Sequence, residues 1–283
     1  MTHPLYHQLF DDAALFPPGN APMGQAVPAH RGYRSGWRDG YVGPFLVADG
    51  RVAELRAVLA REEPAHETLA VAVTVPGGPD GIGPAVESVL ADPALRLVGV
   101  EAAAEPGAAA TVAGHLTRHL PPGASGFVEV SRAGNVPADL DALVGTGHSA
   151  KFRTGGLTPE AHPGEAELAA FVTAVLARGL PFKCTAGLHH AVRHTTAEGF
   201  EQHGFLNLLV ATAAAADGAG TDDLTGILAD RDGAALVDAA ARLTPDQAEA
   251  VRARFVSFGT CSVVEPLEDL VTLGALVPDP RPH

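Results

Sequence analysis

Short apolar runs alternate with segments of helical periodicity along the chain. Eight runs are bounded by turn residues and rich in β-branched or aromatic side chains, a pattern that predicts strands. They cover residues 13–17, 44–48, 69–75, 95–101, 126–130, 150–153, 182–186 and 255–259. Between them, residues 52–60 and 165–176 place apolar side chains at three- and four-residue spacing, which predicts helices.

Eight strand–helix repeats predict an α/β fold, a (β/α)8 TIM barrel that forms a single domain over residues 1–283. An open doubly wound sheet with fewer strands is the structural alternative. Residues 19–43, rich in Gly, Pro, Arg and Tyr, predict a loop insertion over one barrel end, and residues 217–243 predict extra short helices. The capping box from Thr244 to Gln247 predicts a helix that ends near Arg254.

Composition and charge exclude several classes of protein. The formal net charge is −14, so nucleic acid is not an expected partner, because phosphate contacts need a basic face. No apolar run reaches the roughly 18 residues of a membrane span. The first residues lack the features of a signal peptide, and Cys184 and Cys261 fit no disulfide framework. We expect a cytoplasmic protein with a small-molecule substrate, and apolar outer helices are compatible with a homo-oligomer.

Lysine usage carries the main chemical signal. Lys151 and Lys183 are the only lysines, and the other 17 basic residues are arginines. A lysine amine can lose its proton when it is desolvated or close to another cation, whereas a guanidinium stays charged. Strand alternation places Lys151 with Arg153, and Lys183 with Thr185, on one face. If both faces point into the barrel, the two ammonium groups approach each other; the alternative is that both are structural partners of buried carboxylates.

A neutral lysine amine in this setting indicates Schiff-base chemistry. The amine attacks a carbonyl, and the resulting iminium accepts electrons while the adjacent C–C bond breaks or forms. Such chemistry also needs a group that moves protons. Candidates in or beside the predicted strands are Asp11, Asp12, Glu101, Glu129 and His189.

Five short motifs occur in the order that is found in a known enzyme family. Lys151-Phe-Arg-Thr-Gly155 and Lys183-Cys-Thr-Ala-Gly187 resemble the K-x-x-T-G and K-x-S-G-G motifs of deoxyribose-phosphate aldolases. Residues 12–17, 73–76 and 258–262 are similar to that family's first-strand pattern, early V-x-V-x-P strand and phosphate loop. The resemblance implies a class I aldolase-type barrel without a cofactor, in which Lys151 forms the Schiff base and Lys183 perturbs it.

The chain also departs from that family. Glu101 stands nearest to the family's fourth-strand aspartate, and the second glycine after Lys183 is replaced by Ala186 or Leu188. The family's basic residue near the phosphate falls at His189, and the C-terminal tyrosine is absent. These differences imply a substrate other than deoxyribose phosphate: a small aldehyde, ketone or keto acid, with or without a phosphate group.

Further polar residues and glycines near the strand ends are candidates for substrate binding. Their backbone N–H groups can hold a phosphate or carboxylate, and the alternative is that the glycines only turn the chain. The candidates are Arg153, Thr185, Gly187, His203, Asn207, Gly259, Thr260 and Ser262.

Two other functions stay open beside the leading hypothesis. Histidines cluster in residues 189–203, and a metal held by His189, His190 and Glu129 would suit a metal-dependent lyase or hydrolase. In a non-catalytic barrel, the lysines and Arg153 would only bind an anion. The leading hypothesis is a lyase of class I aldolase type whose catalytic residues are Lys151, Lys183, Glu101, Asp12 and His189.

Overall fold

The computed structural model describes residues 3–62 and 67–278, and within them eight parallel strands close into a barrel. The barrel strands are β1 (Phe10–Asp12), β2 (Val42–Ala48), β3 (Leu69–Val75), β4 (Leu95–Ala103), β5 (Ser125–Glu129), β6 (Ser149–Arg153), β7 (Phe182–Thr185) and β10 (Phe255–Thr260). Each strand pairs with its neighbours in the chain, and β1 pairs with β10. The protein is therefore a (β/α)8 barrel, and the closure excludes the open sheet.

Helices cover the outside of the barrel. The described residues contain α1 (Met23–Arg34), α2 (Val52–Leu59), α3 (Ile82–Leu90), α4 (Ala109–His119), α5 (Val136–Asp141), α6 (Glu165–Ala177), α7 (Phe205–Ala216), α8 (Thr221–Ala229), α9 (Gly233–Ala241), α10 (Pro245–Arg254) and α11 (Val264–Thr272). The short strands β8 (His194–Thr195) and β9 (Glu201–Gln202) form a separate antiparallel pair. None of these helices is both long and apolar enough to cross a membrane.

The strand pattern was interpreted correctly everywhere except at the start of the chain. Residues 69–75 match β3 at both ends, and the other six runs overlap β2, β4, β5, β6, β7 and β10 with ends shifted by one or two residues; the short β8 and β9 were not predicted. The run at residues 13–17 is wrong, because β1 lies at Phe10–Asp12 and these residues follow it. Two consecutive buried aspartates in so short a strand conceal its apolar pattern.

The prediction of a loop insertion over residues 19–43 is also wrong, since this stretch contains α1. The residues that α1 buries have helical three- and four-residue spacing: Met23, Ala26, Val27 and His30. Gly24 and Pro28 interrupt that pattern, because glycine and proline are the weakest helix formers. The helix forms because its buried face packs on the barrel.

The C-terminal part of the chain agrees with the sequence pattern. The extra helices predicted over residues 217–243 are α8 and α9. The capping box of α10 is formed, with Thr244 Oγ1 accepting from Gln247 N at 3.3 Å and Gln247 Oε1 accepting from Thr244 N at 3.0 Å. This helix ends at Arg254, as predicted.

Aromatic packing outside the barrel decides which residues point inside. Phe152 stacks on Phe171 of α6 at a centroid distance of 4.2 Å, and Phe182 packs edge-on against the same ring at 5.5 Å. Because successive side chains of a strand point to opposite faces, the neighbouring Lys151 and Lys183 point into the barrel. A register slip of one residue would turn these rings into the charged interior and the lysines towards the helices. Each ring would lose packing that contributes about 1.5–3 kcal/mol by burial.

The turns that follow β6 and β7 pack backbone against backbone. Gly187 has a φ of +72°, and a Cβ atom there would lie 2.7 Å from the carbonyl oxygen of Thr154. Thr154 Oγ1 donates to the carbonyl oxygens of Thr185 and Ala186, at 3.2 and 2.6 Å. These contacts hold the C-terminal ends of β6 and β7, the strands that carry Lys151 and Lys183, together.

We predict that Gly187→Ala lowers the free energy of unfolding by about 2 kcal/mol or more. A left-handed backbone costs an L-residue roughly 1–2 kcal/mol, and the added methyl group would also collide with the adjacent turn. Gly24→Ala in α1 is the matched control, because a Cβ atom there meets nothing within 4 Å. It should raise stability by about 0.5–1 kcal/mol. Urea unfolding followed by circular dichroism measures both, and an unchanged midpoint for Gly187→Ala would contradict this account of the turn.

Candidate active site

A buried cluster of alternating charges occupies the middle of the barrel. Lys151 and Lys183 are register partners on β6 and β7, and only 4% and 1% of their surfaces are exposed. Glu101 of β4 lies between the two amines. Its Oε2 atom is 2.8 Å from Lys151 Nζ, and its Oε1 atom accepts a hydrogen bond from Lys183 Nζ. Both lysines therefore point inside, as predicted, and share one carboxylate.

Further carboxylates continue this cluster on both sides. Lys183 Nζ donates to Asp11 Oδ2 at 2.5 Å, and the same oxygen accepts from Ser257 Oγ at 2.7 Å. This side is fully buried, and sequence analysis missed Ser257. The only signal for it was its inward position, two residues before Gly259 on β10.

The other side of the cluster reaches the C-terminal end of the barrel. Lys151 Nζ lies 2.7 Å from Glu129 Oε2, and Glu129 Oε1 accepts from Arg153 Nε at 2.9 Å. The Arg153 side chain is 47% exposed, whereas that of Glu129 is 17% exposed. Solvent therefore approaches Lys151 along Glu129 and Arg153, at the end of the barrel where sites of this fold lie.

Both lysines are ammonium ions in this arrangement. Burial lowers the pKa of Lys151, but Glu101 and Glu129 outweigh burial and raise it above its ordinary value. Burial likewise lowers the pKa of Lys183, but the carboxylates of Asp11 and Glu101 outweigh burial, so the pKa is raised above its ordinary value. The prediction that Lys183 makes Lys151 neutral is wrong for this state, because a carboxylate separates the two amines.

The carboxylates respond to the lysines in different ways. Burial raises the pKa of Glu101, but Lys151 and Lys183 together lower it to about 2. Glu129 also has a lowered pKa, because its two cations outweigh its burial. The pKa of Asp11 is raised, since burial outweighs the attraction of Lys183. Glu101 is thus the most firmly ionised member of the cluster.

The two amines differ in how close they lie to solvent. Lys183 donates directed hydrogen bonds to two carboxylates. Lys151 lies 2.8 Å from Glu101 Oε2 and 2.7 Å from Glu129 Oε2, and the Glu129 side chain is 17% exposed. Lys151 is therefore the amine that is nearer to solvent.

Asp12, which was predicted as a catalytic residue, lies outside this cluster. Its Oδ2 atom is 2.9 Å from His30 Nδ1 of α1, and its Oδ1 atom accepts from Ala14 N at 3.1 Å. Strand alternation turns Asp12 outward and Asp11 inward. With β1 placed at residues 13–17, sequence analysis could not tell which aspartate points inside.

The predicted metal ligands lie apart from one another. His190 Nδ1 is 3.0 Å from Asp269 Oδ2, and Glu129 is occupied by Lys151. In residues 3–62 and 67–278, no group of three His, Cys, Asp or Glu side chains is arranged to hold a metal. The proposed ligand set of His189, His190 and Glu129 is therefore wrong.

His189 follows β7 at the same end of the barrel as Arg153. Its Nδ1 atom lies 3.5 Å from Cys261 Sγ and 3.7 Å from Glu265 Oε2. Burial and the neighbouring His190 lower the pKa of His189, so the imidazole is neutral at pH 7. Burial raises the pKa of the Cys261 thiol, which disfavours a thiolate.

His203 and Asn207, which were predicted as substrate ligands, are hydrogen-bonded within the fold and do not join the cluster. Both are fully buried. His203 Nε2 lies 2.8 Å from the carbonyl oxygen of Pro163. Asn207 Oδ1 accepts from Arg193 N at 3.0 Å, and its Nδ2 donates to the carbonyl oxygens of Ile227 and Asp230. They attach the segment after β7 to α6 and α8.

The predicted phosphate loop, residues 258–262, also makes hydrogen bonds within the fold. Thr260 Oγ1 donates to the carbonyl oxygen of Ser262 at 2.9 Å, and Ser262 Oγ accepts from Glu265 N at 3.3 Å at the start of α11. Thr185 and Gly259 are register partners at the end of the barrel that carries Arg153. Of the predicted substrate residues, Arg153, Thr185 and Gly259 therefore remain beside the cluster.

Comparisons of the chain with models of protein families, with curated proteins and with solved structures find no match. Conclusions about function therefore depend on the barrel and on the geometry of this cluster.

We predict that Glu101→Gln lowers the free energy of unfolding by about 3–5 kcal/mol at pH 7, because it leaves buried ammonium groups undercompensated. The pKa of Glu101 is lowered from 4.5 to about 2, so its stabilisation is complete above pH 4.5 and is lost as the pH falls towards 2. The linked contribution is about 3 kcal/mol. The free energy of unfolding of Glu101→Gln should therefore decrease less steeply than that of the wild type as the pH falls.

Urea unfolding between about pH 5 and pH 2 measures this difference. Asp141→Asn is the matched control, because it removes an exposed carboxylate that pairs with Arg178 at 2.8 Å. The control should keep the acid sensitivity of the wild type. Equal acid sensitivity in Glu101→Gln would contradict the lowered pKa of Glu101.

Proposed function

We propose that the protein is a lyase of class I aldolase type, in which Lys151 forms a Schiff base with a small aldehyde, ketone or keto acid. The observation that carries this proposal is the position of the Lys151 amine between Glu101 and Glu129, at 2.8 and 2.7 Å. An iminium nitrogen bears the same positive charge as the ammonium that it replaces. The two carboxylates are therefore already placed to stabilise the iminium without rearrangement.

The resemblance to deoxyribose-phosphate aldolases supports the same assignment. Both lysine motifs lie on adjacent strands, and the two lysines are register partners. In that family the lysine that corresponds to Lys151 is the nucleophile. In this chain Glu101 contacts both amines, which separates their charges.

Catalysis begins with a proton transfer, since Lys151 is an ammonium at rest. Glu129 accepts this proton, and the lone pair of the neutral amine then attacks the substrate carbonyl carbon. The carbinolamine receives the proton from Glu129 at its hydroxyl group and releases water, which leaves the iminium. Arg153 keeps the far oxygen of Glu129 in place through its 2.9 Å contact.

The iminium then withdraws electrons from the bond next to the former carbonyl carbon. Glu129, which is ionised again after the loss of water, accepts the proton of the hydroxyl group on the β carbon. The bond between the α and β carbons breaks, which releases one carbonyl product and leaves an enamine on Lys151. Protonation of the enamine carbon and addition of water regenerate the amine and release the second product. The same steps in reverse form a C–C bond.

In this scheme Lys183 is a positioning residue. Its hydrogen bonds to Asp11 and Glu101 keep Glu101 ionised beside Lys151. Glu101 is buried between both amines, whereas Glu129 contacts only Lys151 of the two and lies on the solvent side, so the proton transfers are assigned to Glu129.

Charge balance argues against a barrel that only binds anions through its lysines. Within the cluster, the cations Lys151, Lys183 and Arg153 face an equal number of carboxylates, those of Asp11, Glu101 and Glu129. An added anion would compete with carboxylates that are already in contact. The geometry therefore favours an amine that reacts over a cation that binds.

We predict that borohydride traps an adduct at Lys151 when the protein is incubated with small aldehydes, ketones and keto acids. Lys183 and the terminal amine are the only other primary amines of the chain, so peptide mass spectrometry identifies the site without ambiguity. Lys151→Arg keeps the charge and removes the nucleophile, and should abolish this adduct. Glu129→Gln should slow its formation by roughly 100-fold or more, because it removes the proton acceptor.

Arg118→Lys provides the control, because Arg118 is exposed on α4 and a lysine there is an ordinary surface amine. This surface lysine should react no faster than the terminal amine. Labelling of Lys183 instead of Lys151 would contradict the assigned nucleophile. Labelling confined to the terminal amine across the whole panel would overturn the proposed function.

A further inference from the structure

A cavity opens at the opposite end of the barrel from Arg153. Its volume is about 760 Å³, and its lining includes Gln8 before β1, Leu69 at the start of β3 and Ser125 at the start of β5. It therefore enters at the N-terminal ends of the strands. It reaches inward as far as Asp11 and Lys183, on the side of the cluster that solvent does not reach from the C-terminal end.

Small inward residues create this cavity. The interiors of (β/α)8 barrels are ordinarily filled by layers of bulky branched side chains, and their N-terminal ends serve stability. Here the cavity is lined by residues too small to fill it: Gly43, Ala70, Ala72, Gly99, Ser125 and Ser257. Its volume falls in the range of small-molecule sites, about 300–1,000 Å³.

The cavity rim carries three arginines and the carboxylate of Glu67. Arg31 and Arg34 are paired with Glu62 and Asp39. Arg96 of β4 is exposed and has no carboxylate partner among the described residues. A guanidinium of this kind binds a carboxylate or phosphate through paired hydrogen bonds.

Deeper in the cavity, two groups are available to hydroxyls of a ligand. Asp11 Oδ2 is occupied by Lys183 and Ser257, which leaves Oδ1 as an acceptor. His30 lines the cavity and uses Nδ1 for Asp12 at 2.9 Å, which leaves Nε2. An anion-binding rim above hydroxyl-binding groups indicates a polar ligand with a single charged end.

We propose that this cavity binds a small polyhydroxylated anion, with its charged group on Arg96 and its hydroxyl groups on Asp11 and His30. A sugar acid and a sugar phosphate share this chemistry. The site goes beyond the proposed Schiff-base function and does not depend on it, since the ligand enters from the other end and contacts no group that reacts. Because Asp11 also holds Lys183, the bound ligand lies next to the charge cluster.

Isothermal titration calorimetry with gluconate and with glucose 6-phosphate tests the proposal. At least one probe should bind with a Kd of about 1 mM or tighter, and the probe that binds identifies the charged group as carboxylate or phosphate. Glucose and inorganic phosphate alone should bind at least about tenfold more weakly, since each lacks half of the recognised features.

Two variants locate the binding. Arg96→Gln should weaken it by about tenfold or more, and Arg118→Gln, which removes an exposed arginine on α4, should leave the Kd unchanged. Ala70→Leu fills the cavity and should abolish binding while the thermal midpoint is maintained or raised. Absence of binding by both probes up to about 10 mM would overturn the proposal. So would binding that neither Arg96→Gln nor Ala70→Leu reduces.

Discussion

The barrel interior depends on a single carboxylate that is shared by two buried amines. Glu101 contacts Lys151 and Lys183, and none of the three is more than 4% exposed. A buried ion is tolerated only when opposite charges and hydrogen bonds replace the lost water. Asp11 and Glu129 complete this compensation at the two ends. Each charge in the cluster is therefore stable only because its neighbours are present.

This charge balance also explains how the site can react. The apolar side chains that hold the strands, such as Phe152 and Phe182, face the helices and leave the interior to polar residues. Lys183 is enclosed by Asp11 and Glu101, whereas Lys151 contacts Glu129 on the side that leads to solvent. Lys183 thus keeps Glu101 ionised, while the Lys151 amine can replace a proton with a bond to a carbonyl carbon. The net charge of the site does not change, because ammonium and iminium each carry one positive charge.

The fold was predictable because strand and helix periods alternate clearly from β2 onward. The predictions failed where residues contradict their structural setting: the aspartates of β1 hide a strand, and Gly24 and Pro28 hide α1. The lysine pair followed from residue counts and strand alternation. The position of Glu101 between the lysines was not predictable, because it depends on how β4, β5 and β6 pair in the sheet. Glu101 is the register partner of Phe127, and Phe127 is the partner of Ser149, an offset that no local pattern encodes.

The charge of the two lysines in the resting protein is the most direct measurement of this arrangement. Because the chain contains only Lys151 and Lys183, [15N]lysine labelling gives two side-chain signals, and Lys151→Arg assigns them. We predict two ammonium signals that do not titrate below about pH 10, the ordinary range for lysine, with faster proton exchange at Lys151. A signal that titrates to a neutral amine near pH 7 would contradict the shared-carboxylate cluster.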